Sequence, residues 1–320
     1  MLPGIKMVLA MGGNAISRQD ERGDIPDQIN NCHNTAEHIV DLVEAGYKVV
    51  VTHGNGPQVG NILRRVESAR NQVYPLPLDV CVAHSQGGIG YLLQREINNV
   101  FKKRGIDKTS YTIITQCLVD SQDPAFEKPT KPVGPFFTQE QIAPMIEQGW
   151  NAVEDAGRGW RRVVPSPLPK AIVEEQTIKE TIELGHVTIC CGGGGIPVVE
   201  KEGVLTGVEG VIDKDHASSL LARNIKADLM VITTGIEKVA INFNKPDQRE
   251  LDLLSVEQAG KFYEEGHFPA GSMGPKIRAA IDFIEATGND VIVTLPEKTL
   301  DAIRGNTGTR ITKTLSGRTI

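Results

Sequence analysis

Short apolar runs rich in β-branched residues alternate along the chain with longer segments whose apolar positions recur at helical spacing. The first run covers 7–11 and the second covers 47–52. Between them, one helical side carries apolar residues, at Ile29, Ala36, Val40 and Val43. This alternation is typical of a parallel sheet with helices on both faces. Because strands buried on both faces are almost continuously apolar, further strands are predicted at 112–115, 187–191, 229–233, 291–295 and 309–312.

The segment 121–169 interrupts this alternation. It contains eight of the 18 prolines and five aromatic residues, and proline disfavours central strands while favouring turns and extended chain. Only 138–149 has a helical pattern. We interpret the segment as a small inserted subdomain that acts as a lid. The alternative is a long ordered excursion without a role in chemistry.

Composition excludes several classes of protein. The 320 residues carry a formal net charge of −6, which argues against a nucleic-acid partner. No apolar run approaches the ~20 residues that a spanning helix needs, and the N-terminus lacks the long apolar centre of a signal peptide. The five cysteines show no CxxC spacing, which argues against zinc sites and disulfides. We expect a soluble cytoplasmic protein with no membrane partner.

Three glycine-rich turns follow predicted strands. They are Gly12-Gly13-Asn14, Gly54-Asn55-Gly56 and the run of four glycines at 192–195. Glycine lets backbone N–H groups approach a ligand closely, and the N-terminus of a following helix adds partial positive charge. Each turn alone could serve only to reverse the chain, but three at corresponding strand ends favour an anion site.

Familiar nucleotide and hydrolase signatures are missing. The sequence has no GxxxxGK[ST] motif and no HRD or DFG element, which excludes P-loop enzymes and protein kinases. Gly60 follows the second glycine turn one residue too late for GxGxxG, so NAD binding is disfavoured. No HExxH or GxSxG motif supports zinc or serine hydrolysis.

Two lysines stand at predicted helix starts. Lys214 precedes an apolar helical stripe, and Lys276 follows Gly274-Pro275, where proline favours the first helical position. A cation at a helix N-terminus is unfavourable by a few tenths to ~1 kcal/mol, so a bound anion would explain both placements. The alternatives without a role in catalysis are that both lysines are solvated surface residues and that Asp215 only caps its helix.

Seven stretches resemble the amino acid kinase family and, within it, the carbamate kinases. They are AMGGNA at 10–15, HGNGPQVG at 53–60, PTKPVGPF at 129–136, DAGRGWR at 155–161, VVPSP at 163–167, VIDKD at 211–215 and AGSMGPK at 270–276. Together they extend over nearly the whole chain.

The resemblance implies an open, mostly parallel sheet in a three-layer α/β/α sandwich. A single domain would cover 1–320, with the phosphoryl-acceptor side in about 1–185, the nucleotide side in about 186–320 and the segment 121–169 as a protruding subdomain. The implied activity is reversible phosphoryl transfer between ATP and carbamate, giving ADP and carbamoyl phosphate. A homodimer is also implied. No compact carboxylate group is evident, so Mg²⁺ is expected on the nucleotide phosphates.

The same resemblance implies roles for individual residues. The residues that line the acceptor site would be Gly12, Gly13, Asn14, Gly54, Asn55 and Gly56. Lys214 and Lys276 would stabilise the transferring group, Asp215 would orient these two lysines, and Lys131 would reach over the substrate from the inserted subdomain. The nucleotide would be contacted by Lys214, Thr233, Met273, Gly274 and Lys276.

One departure from related kinases narrows the choice of substrate. Ala10 stands where many relatives that phosphorylate acetylglutamate, aspartate or glutamate carry a lysine, and carbamate kinases also lack that lysine. We therefore expect carbamate as acceptor, with the reaction running towards ATP in the breakdown of arginine or related nitrogen compounds. The alternatives are an amino-acid carboxylate kinase of the same family and a non-catalytic nucleotide-sensing protein. The intact Lys214, Asp215 and Lys276 argue against the second alternative.

Overall fold

The computed structural model describes residues 4–18, 21–154 and 159–315. Its strands are β1 (Lys6–Met11), β2 (Lys48–His53), β3 (Ser110–Thr112), β4 (Gln116–Val119), β5 (Lys131–Phe137), β6 (Ala152–Glu154), β7 (Trp160–Val164), β8 (Pro169–Ile172), β9 (Val187–Ile189), β10 (Ile196–Lys201), β11 (Val204–Gly207), β12 (Leu229–Thr233), β13 (Val239–Ile241), β14 (Arg249–Leu251), β15 (Leu253–Ser255), β16 (Val291–Thr294) and β17 (Thr309–Thr312). Its helices are α1 (Ile25–Glu44), α2 (Gly56–Ser68), α3 (Leu78–Arg104), α4 (Gln139–Glu147), α5 (Glu175–Glu183), α6 (Lys214–Asn224), α7 (Val256–Glu264), α8 (Met273–Thr287) and α9 (Thr299–Ile303).

An eight-stranded sheet runs through the centre, in the order β15-β17-β16-β12-β1-β2-β9-β3. The six strands from β16 to β3 are parallel, whereas β17 pairs antiparallel with β16 and parallel with β15. The predicted α/β class with a mostly parallel open sheet is confirmed. In the described part of the chain, no helix combines the length and the apolar character needed to cross a membrane.

Alternate residues of the central strands enter two separate hydrophobic cores. On β1, Val8 and Ala10 belong to a core formed with α5, α6, α7 and α8. Met7, Leu9 and Met11 belong to a second core formed with α1, α3 and α9. Because side chains of a strand alternate between the faces of a sheet, a continuously apolar strand needs helices on both sides. The three-layer α/β/α arrangement follows from this alternation.

Most predicted strands lie where the apolar runs placed them, but the strand predicted at 112–115 is wrong. This stretch is mainly the connection between β3 and β4. The side chain of Gln86 on α3 accepts a hydrogen bond from the N–H of Thr115 at 2.8 Å and donates to its carbonyl at 3.0 Å. The N–H of Ile113 donates to Ile189 on β9, whereas the carbonyl of Thr115 accepts from Ile196 on β10, so the chain passes here from the central sheet to a second sheet. The apolar pattern cannot reveal this passage.

The segment 121–169 contains a three-stranded antiparallel sheet in the order β5-β7-β6, together with α4. Pro132 lies on β5, an edge strand, where its missing N–H is tolerated. The positions 155–158, which begin the DAGRGWR stretch, lie outside the described residues. Strand β5 packs directly on α2: a Cβ on Gly60 would lie 2.1 Å from the Cα of Gly134. This close backbone approach requires glycine at position 60.

The three glycine turns lie at one edge of the central sheet, as predicted. They follow β1, β2 and β9, which are consecutive parallel strands in the sheet order. The carboxyl ends of parallel strands meet at the same edge, and in open α/β sheets this edge is where ligands bind. The fold therefore brings turns from distant parts of the sequence into one neighbourhood.

His53 is a buried polar residue that braces two of these turns. Its Nδ1 lies 3.0 Å from the carbonyl oxygen of Gly54, so Nδ1 carries the proton and donates. A Cβ on Gly192 would lie 2.6 Å from Nε2 of His53, so the ring lies directly against the third turn. Burial lowers the pKa of His53 from its ordinary value of 6.5 to about 4, against the opposing effect of the hydrogen bond to Gly54. The imidazole is therefore neutral at pH 7.

The lowered pKa of His53 predicts a specific loss of stability in mild acid. The unfolded chain takes up a proton on this side chain near pH 6.5, whereas the folded protein resists it until about pH 4. The stabilisation is complete above pH 6.5 and decreases as the pH falls towards 4, by up to about 3 kcal/mol in total. His53→Asn keeps a donor for the Gly54 carbonyl but removes the titration. Urea unfolding between pH 7 and pH 4.5 should show a weaker pH dependence for the variant, and identical slopes would contradict this account.

Candidate active site

A carboxylate stands between two lysines that come from different helices. Asp215, the second residue of α6, has Oδ2 3.1 Å from Nζ of Lys276 on α8. Its Oδ1 lies 3.0 Å from Nζ of Lys214. The predicted convergence of Lys214, Asp215 and Lys276 is thus present in the structure, and Asp215 lies where it can orient both ammonium groups.

This cluster is shielded from solvent. The side chains of Lys214, Asp215 and Lys276 are 11%, 3% and 13% exposed. Burial by itself would raise the pKa of Asp215, but the two ammonium groups outweigh it and hold the pKa well below its usual range. Burial lowers the pKa of Lys214, and the charge of Lys276 lowers it further, whereas Asp215 opposes both effects. Asp215 is therefore ionised, and Lys214 is a cation held in an unfavourable environment.

The ammonium group of Lys214 has unused hydrogen-bonding capacity. Its Nζ forms an ion pair with Oδ1 of Asp215 at 3.0 Å, and no other described residue accepts a hydrogen bond from it. Because an ammonium group carries three donors, at least two of them are left for other acceptors. The stem of Lys214 passes over the second glycine turn, with Cδ 3.5 Å from a Cβ placed on Gly54. The amine thus lies beside the turns and is suited to an incoming anion.

The structure contradicts the alternative in which Asp215 only caps α6. The residue that caps this helix is Asp213, whose Oδ1 accepts a hydrogen bond from the N–H of Asp215 at 2.9 Å. Asp215 is therefore not the cap, and its carboxylate is left for the lysines. Hydroxyl groups also fix this turn: Ser218 donates to the carbonyl of Lys214 at 2.6 Å and lies 2.6 Å from Oγ1 of Thr52, near the end of β2.

Lys131, at the start of β5, forms a hydrogen-bonded ion pair with Oδ2 of Asp213. Lys131 thus joins the segment 121–169 to the residue that precedes Lys214. Three ammonium groups and two carboxylates form one chain of contacts, which leaves one positive charge uncompensated. Burial would raise the pKa of Asp213, but the nearby charge of Lys131 outweighs it and lowers the pKa.

The two lysines stand differently at their helix starts. Lys214 is the first residue of α6, as expected, but α8 begins at Met273, so Lys276 is its fourth residue. Pro275 is therefore in the third helical position, and the prediction that it is the first is wrong. The cause lies upstream, where the N–H of Gly274 donates to the carbonyl of Pro269 at 2.9 Å and extends the helical turn towards the N-terminus.

The glycine turns use their N–H groups in two ways. The N–H of Gly12 donates to the carbonyl of Thr233 at 3.0 Å, and that of Gly54 donates to Met11 at 3.2 Å. These bonds join neighbouring strand ends, so they hold the turns in place and do not contact a ligand. The N–H groups of Gly13 and Gly56 have no acceptor among the described residues. Gly56 begins α2, which has no side-chain cap, and a helix start of this kind attracts anions.

The side chain of Asn55 is turned into the protein. Its Nδ2 donates to Oγ of Ser85 on α3 at 2.8 Å, and a Cβ on Gly193 would lie 2.1 Å from the same nitrogen. Asn55 therefore connects the second and third turns through its amide nitrogen. Asn14 lies in the short 3-10 turn Gly13–Ala15, and its side chain is outside the described part of the structure.

The other residues expected near the nucleotide lie around the cluster and have structural contacts. Thr233 is buried at the end of β12 and bonds to Gly12 through its carbonyl and, at 3.4 Å, its hydroxyl. Met273 is partly buried against the core below α8. A Cβ on Gly274 would lie 3.1 Å from the carbonyl oxygen of Pro269. A side chain at position 274 would therefore be crowded by this carbonyl.

No group of three or more histidine, cysteine, aspartate or glutamate side chains suited to a metal ion occurs within 4–18, 21–154 and 159–315. Both carboxylates near the turns are already engaged by lysines.

Sequence reasoning missed two functional contacts. Asp213 was not singled out, although an aspartate directly before a helical pattern is a common cap signal. The sequence pattern assigns His53 no role of its own. The buried position of its ring between two turns depends on the pairing of β1, β2 and β9, which a single sequence does not show.

Comparisons with known proteins agree with this geometry. The Amino acid kinase family matches residues 6–294. A carbamate kinase from Thermococcus kodakarensis is 46% identical over 313 residues, covering 96% of this chain and 99% of that protein. The carbamate kinase-like protein YahI of Escherichia coli is 48% identical, with coverage of 96% and 99%.

Among solved structures, carbamate kinase from Giardia lamblia bound to AMP-PNP superposes with a TM-score of 0.90 and 44% identity. The match covers 98% of this chain and 99% of that one. Near-complete coverage in both directions means that the shared region includes the sheet, the three turns and both lysine-bearing helices. The chain belongs to the amino acid kinase family.

Proposed function

We propose that the protein is a carbamate kinase, which transfers a phosphoryl group reversibly between ATP and carbamate and gives ADP and carbamoyl phosphate. The observation that carries the proposal is the buried ammonium group of Lys214, which is paired among the described residues with Asp215 alone and lies beside the glycine turns. The names of the relatives, carbamate kinase or carbamate kinase-like protein at 46–48% identity, support it.

The chemistry requires alignment and charge neutralisation more than covalent participation. Charge on the transferring phosphoryl group is spread over its oxygens, and positioned cations reduce the barrier. Lys214 and Lys276 approach from different helices and would hold that group between them, while Asp215 keeps the amines at a fixed separation. Because the carbamate oxygen is already an anion, no general base is required. The neutral, buried His53 is consistent with this.

The acceptor would bind at the turns that follow β1 and β2. The N–H groups of Gly13 and Gly56, which have no acceptor in the described part of the chain, and the start of α2 would supply donors for a small planar anion. Lys131 would add a third cation from the segment 121–169, which we propose to be a protruding lid over this side. On this proposal, residues 1–185 form the acceptor side and 186–320 the nucleotide side of one domain.

The nucleotide would lie on the side of α8 and β12, near Lys276, Met273, Gly274 and Thr233. Mg²⁺ would arrive as part of the nucleotide substrate and neutralise phosphate charge there. The two lysines would contact the phosphate oxygens that the metal ion leaves free.

We further propose that the enzyme works in the cytoplasm as a homodimer, without nucleic-acid or membrane partners. The direction proposed is towards ATP, in the breakdown of arginine or related nitrogen compounds. Support for the dimer comes from the exposed apolar side chains beside β3, at Tyr91, Tyr111 and Ile114, because exposed apolar surface marks sites of protein association.

The direct test is purified protein with ADP, Mg²⁺ and carbamoyl phosphate. We expect ATP formation far above the rate of chemical decomposition of carbamoyl phosphate, measured by coupled luminescence. Absence of ATP above that background would reject the proposed function.

Replacement of Lys276 by alanine should lower the rate by about 100-fold or more, as other removals of a positioned charge stabiliser do. The matched control is Lys261→Ala on α7, because the Lys261 side chain is 70% exposed. Both variants should fold, as judged by thermal denaturation. A Lys276→Ala enzyme with the turnover of the wild type would refute the role of this lysine.

A panel of acceptors separates carbamate from the other substrates of the family. With ATP and Mg²⁺, we expect ADP production with carbamate and none with aspartate, glutamate or acetylglutamate. Turnover of an amino-acid carboxylate instead would establish the same chemistry on a different substrate. Nucleotide binding without turnover on any acceptor would indicate a sensor.

A further inference from the structure

Asp213 uses its two carboxylate oxygens on two different parts of the molecule. Oδ1 accepts the N–H of Asp215 at 2.9 Å and so begins α6, while Oδ2 accepts Nζ of Lys131 on β5. The side chains of Asp213 and Lys131 are 19% and 28% exposed, so the ion pair is largely screened from water. One short side chain thus joins the start of α6 to the segment 121–169.

The attachment at Asp213 belongs to a wider contact between this segment and the rest of the fold. The N–H of Val211 donates to the carbonyl of Pro165 at 2.9 Å. Val133 of β5 and Val164 of β7 share a small core with Val59 of α2 and with Val211. These contacts bring β5 beside α6. These contacts and the ion pair together hold the strand, and the ion pair also determines where the terminal amine of Lys131 lies.

The position of Asp213 in the sequence explains how this residue can hold Lys131 and also orient the first turn of α6. Lys214 follows it directly, and the carboxylate of Asp215 comes one residue later. A helix cap sets the direction in which the next two side chains leave the backbone. Any displacement of Asp213 would therefore move Lys131, Lys214 and Asp215 together, and through Asp215 it would reach Lys276 on α8.

We propose that Asp213 is a positioning residue that sets the ammonium group of Lys131 and the first turn of α6 relative to each other. On the proposed function, on which this inference rests, the amines of Lys131 and Lys214 then face one transferring phosphoryl group from the two sides of the cleft. Asp213 itself does not contact the substrate in this account, because both of its oxygens are engaged within the protein.

Two variants separate the two contacts. Asp213→Asn keeps the cap, since asparagine caps helices as well as aspartate does, but it removes the charge that holds Lys131. Lys131→Gln breaks the same ion pair from the other side. Asp213→Ala loses both contacts. Lys131→Arg is the conservative control, because it keeps a cation that can reach Asp213.

We expect Asp213→Asn, which keeps the cap, to unfold at a higher temperature than Asp213→Ala. Its kcat with carbamoyl phosphate and ADP should fall by about tenfold, the size expected for losing one hydrogen bond between charged groups. In Lys131→Gln, kcat should fall at least as far, because this variant also loses the amine. The double variant should be no slower than Lys131→Gln alone. Asp213→Ala should in addition unfold at a lower temperature. Wild-type kinetics in Asp213→Asn, or additive losses in the double variant, would overturn the proposal.

Limited proteolysis measures the same attachment without turnover. Cleavage within 121–169 should accelerate to a similar extent in Asp213→Asn and Lys131→Gln, and should remain slow in the wild type and in Lys131→Arg. Equal cleavage rates in all four proteins would also overturn the positioning role. If the wild type formed no ATP, the proposed function would fail, while proteolysis would still decide whether Asp213 holds the segment.

Discussion

The site depends on one buried carboxylate that keeps two cations together. Asp215 lies between Lys214 and Lys276, which belong to different helices, and all three side chains are largely withdrawn from water. Two ammonium groups at this depth would repel each other and would favour losing a proton. The negative charge of Asp215 offsets part of that repulsion. An anion with several oxygens would offset the remainder, because one positive charge in the wider cluster is uncompensated.

The rest of the fold brings this cluster to the glycine turns. Helices α6 and α8 pack on one face of the central sheet, and their N-terminal ends lie towards the edge where β1 and β2 finish. Hydrogen bonds from Gly12 and Gly54 join neighbouring strand ends, and His53 and Asn55 hold the turns against the third glycine run. Rigid turns of this kind can present N–H groups to a ligand without rearrangement, which is the property that electrostatic catalysis requires.

The sequence predicted those features that depend on local pattern. Apolar runs located β12 and β17 at their observed bounds, and the glycine turns were placed at the correct sheet edge. Features set by tertiary contacts were not predictable. The stretch 112–115 has the apolar pattern of a strand, but the chain passes there from the central sheet to the sheet of β4 and β10. The amide nitrogen of Asn55 donates to Ser85 on α3, a contact that no local pattern shows. Lys131 and Asp213 are 82 residues apart, so no spacing rule could pair them.

The most direct test of the central claim is a crystal structure of the protein with ADP and a phosphate analogue. The account predicts that Nζ of Lys214 and Nζ of Lys276 both lie within hydrogen-bonding distance of phosphoryl oxygens, with Asp215 still between the two amines. A structure in which the phosphates bind elsewhere, or in which either amine points away from them into solvent, would contradict it.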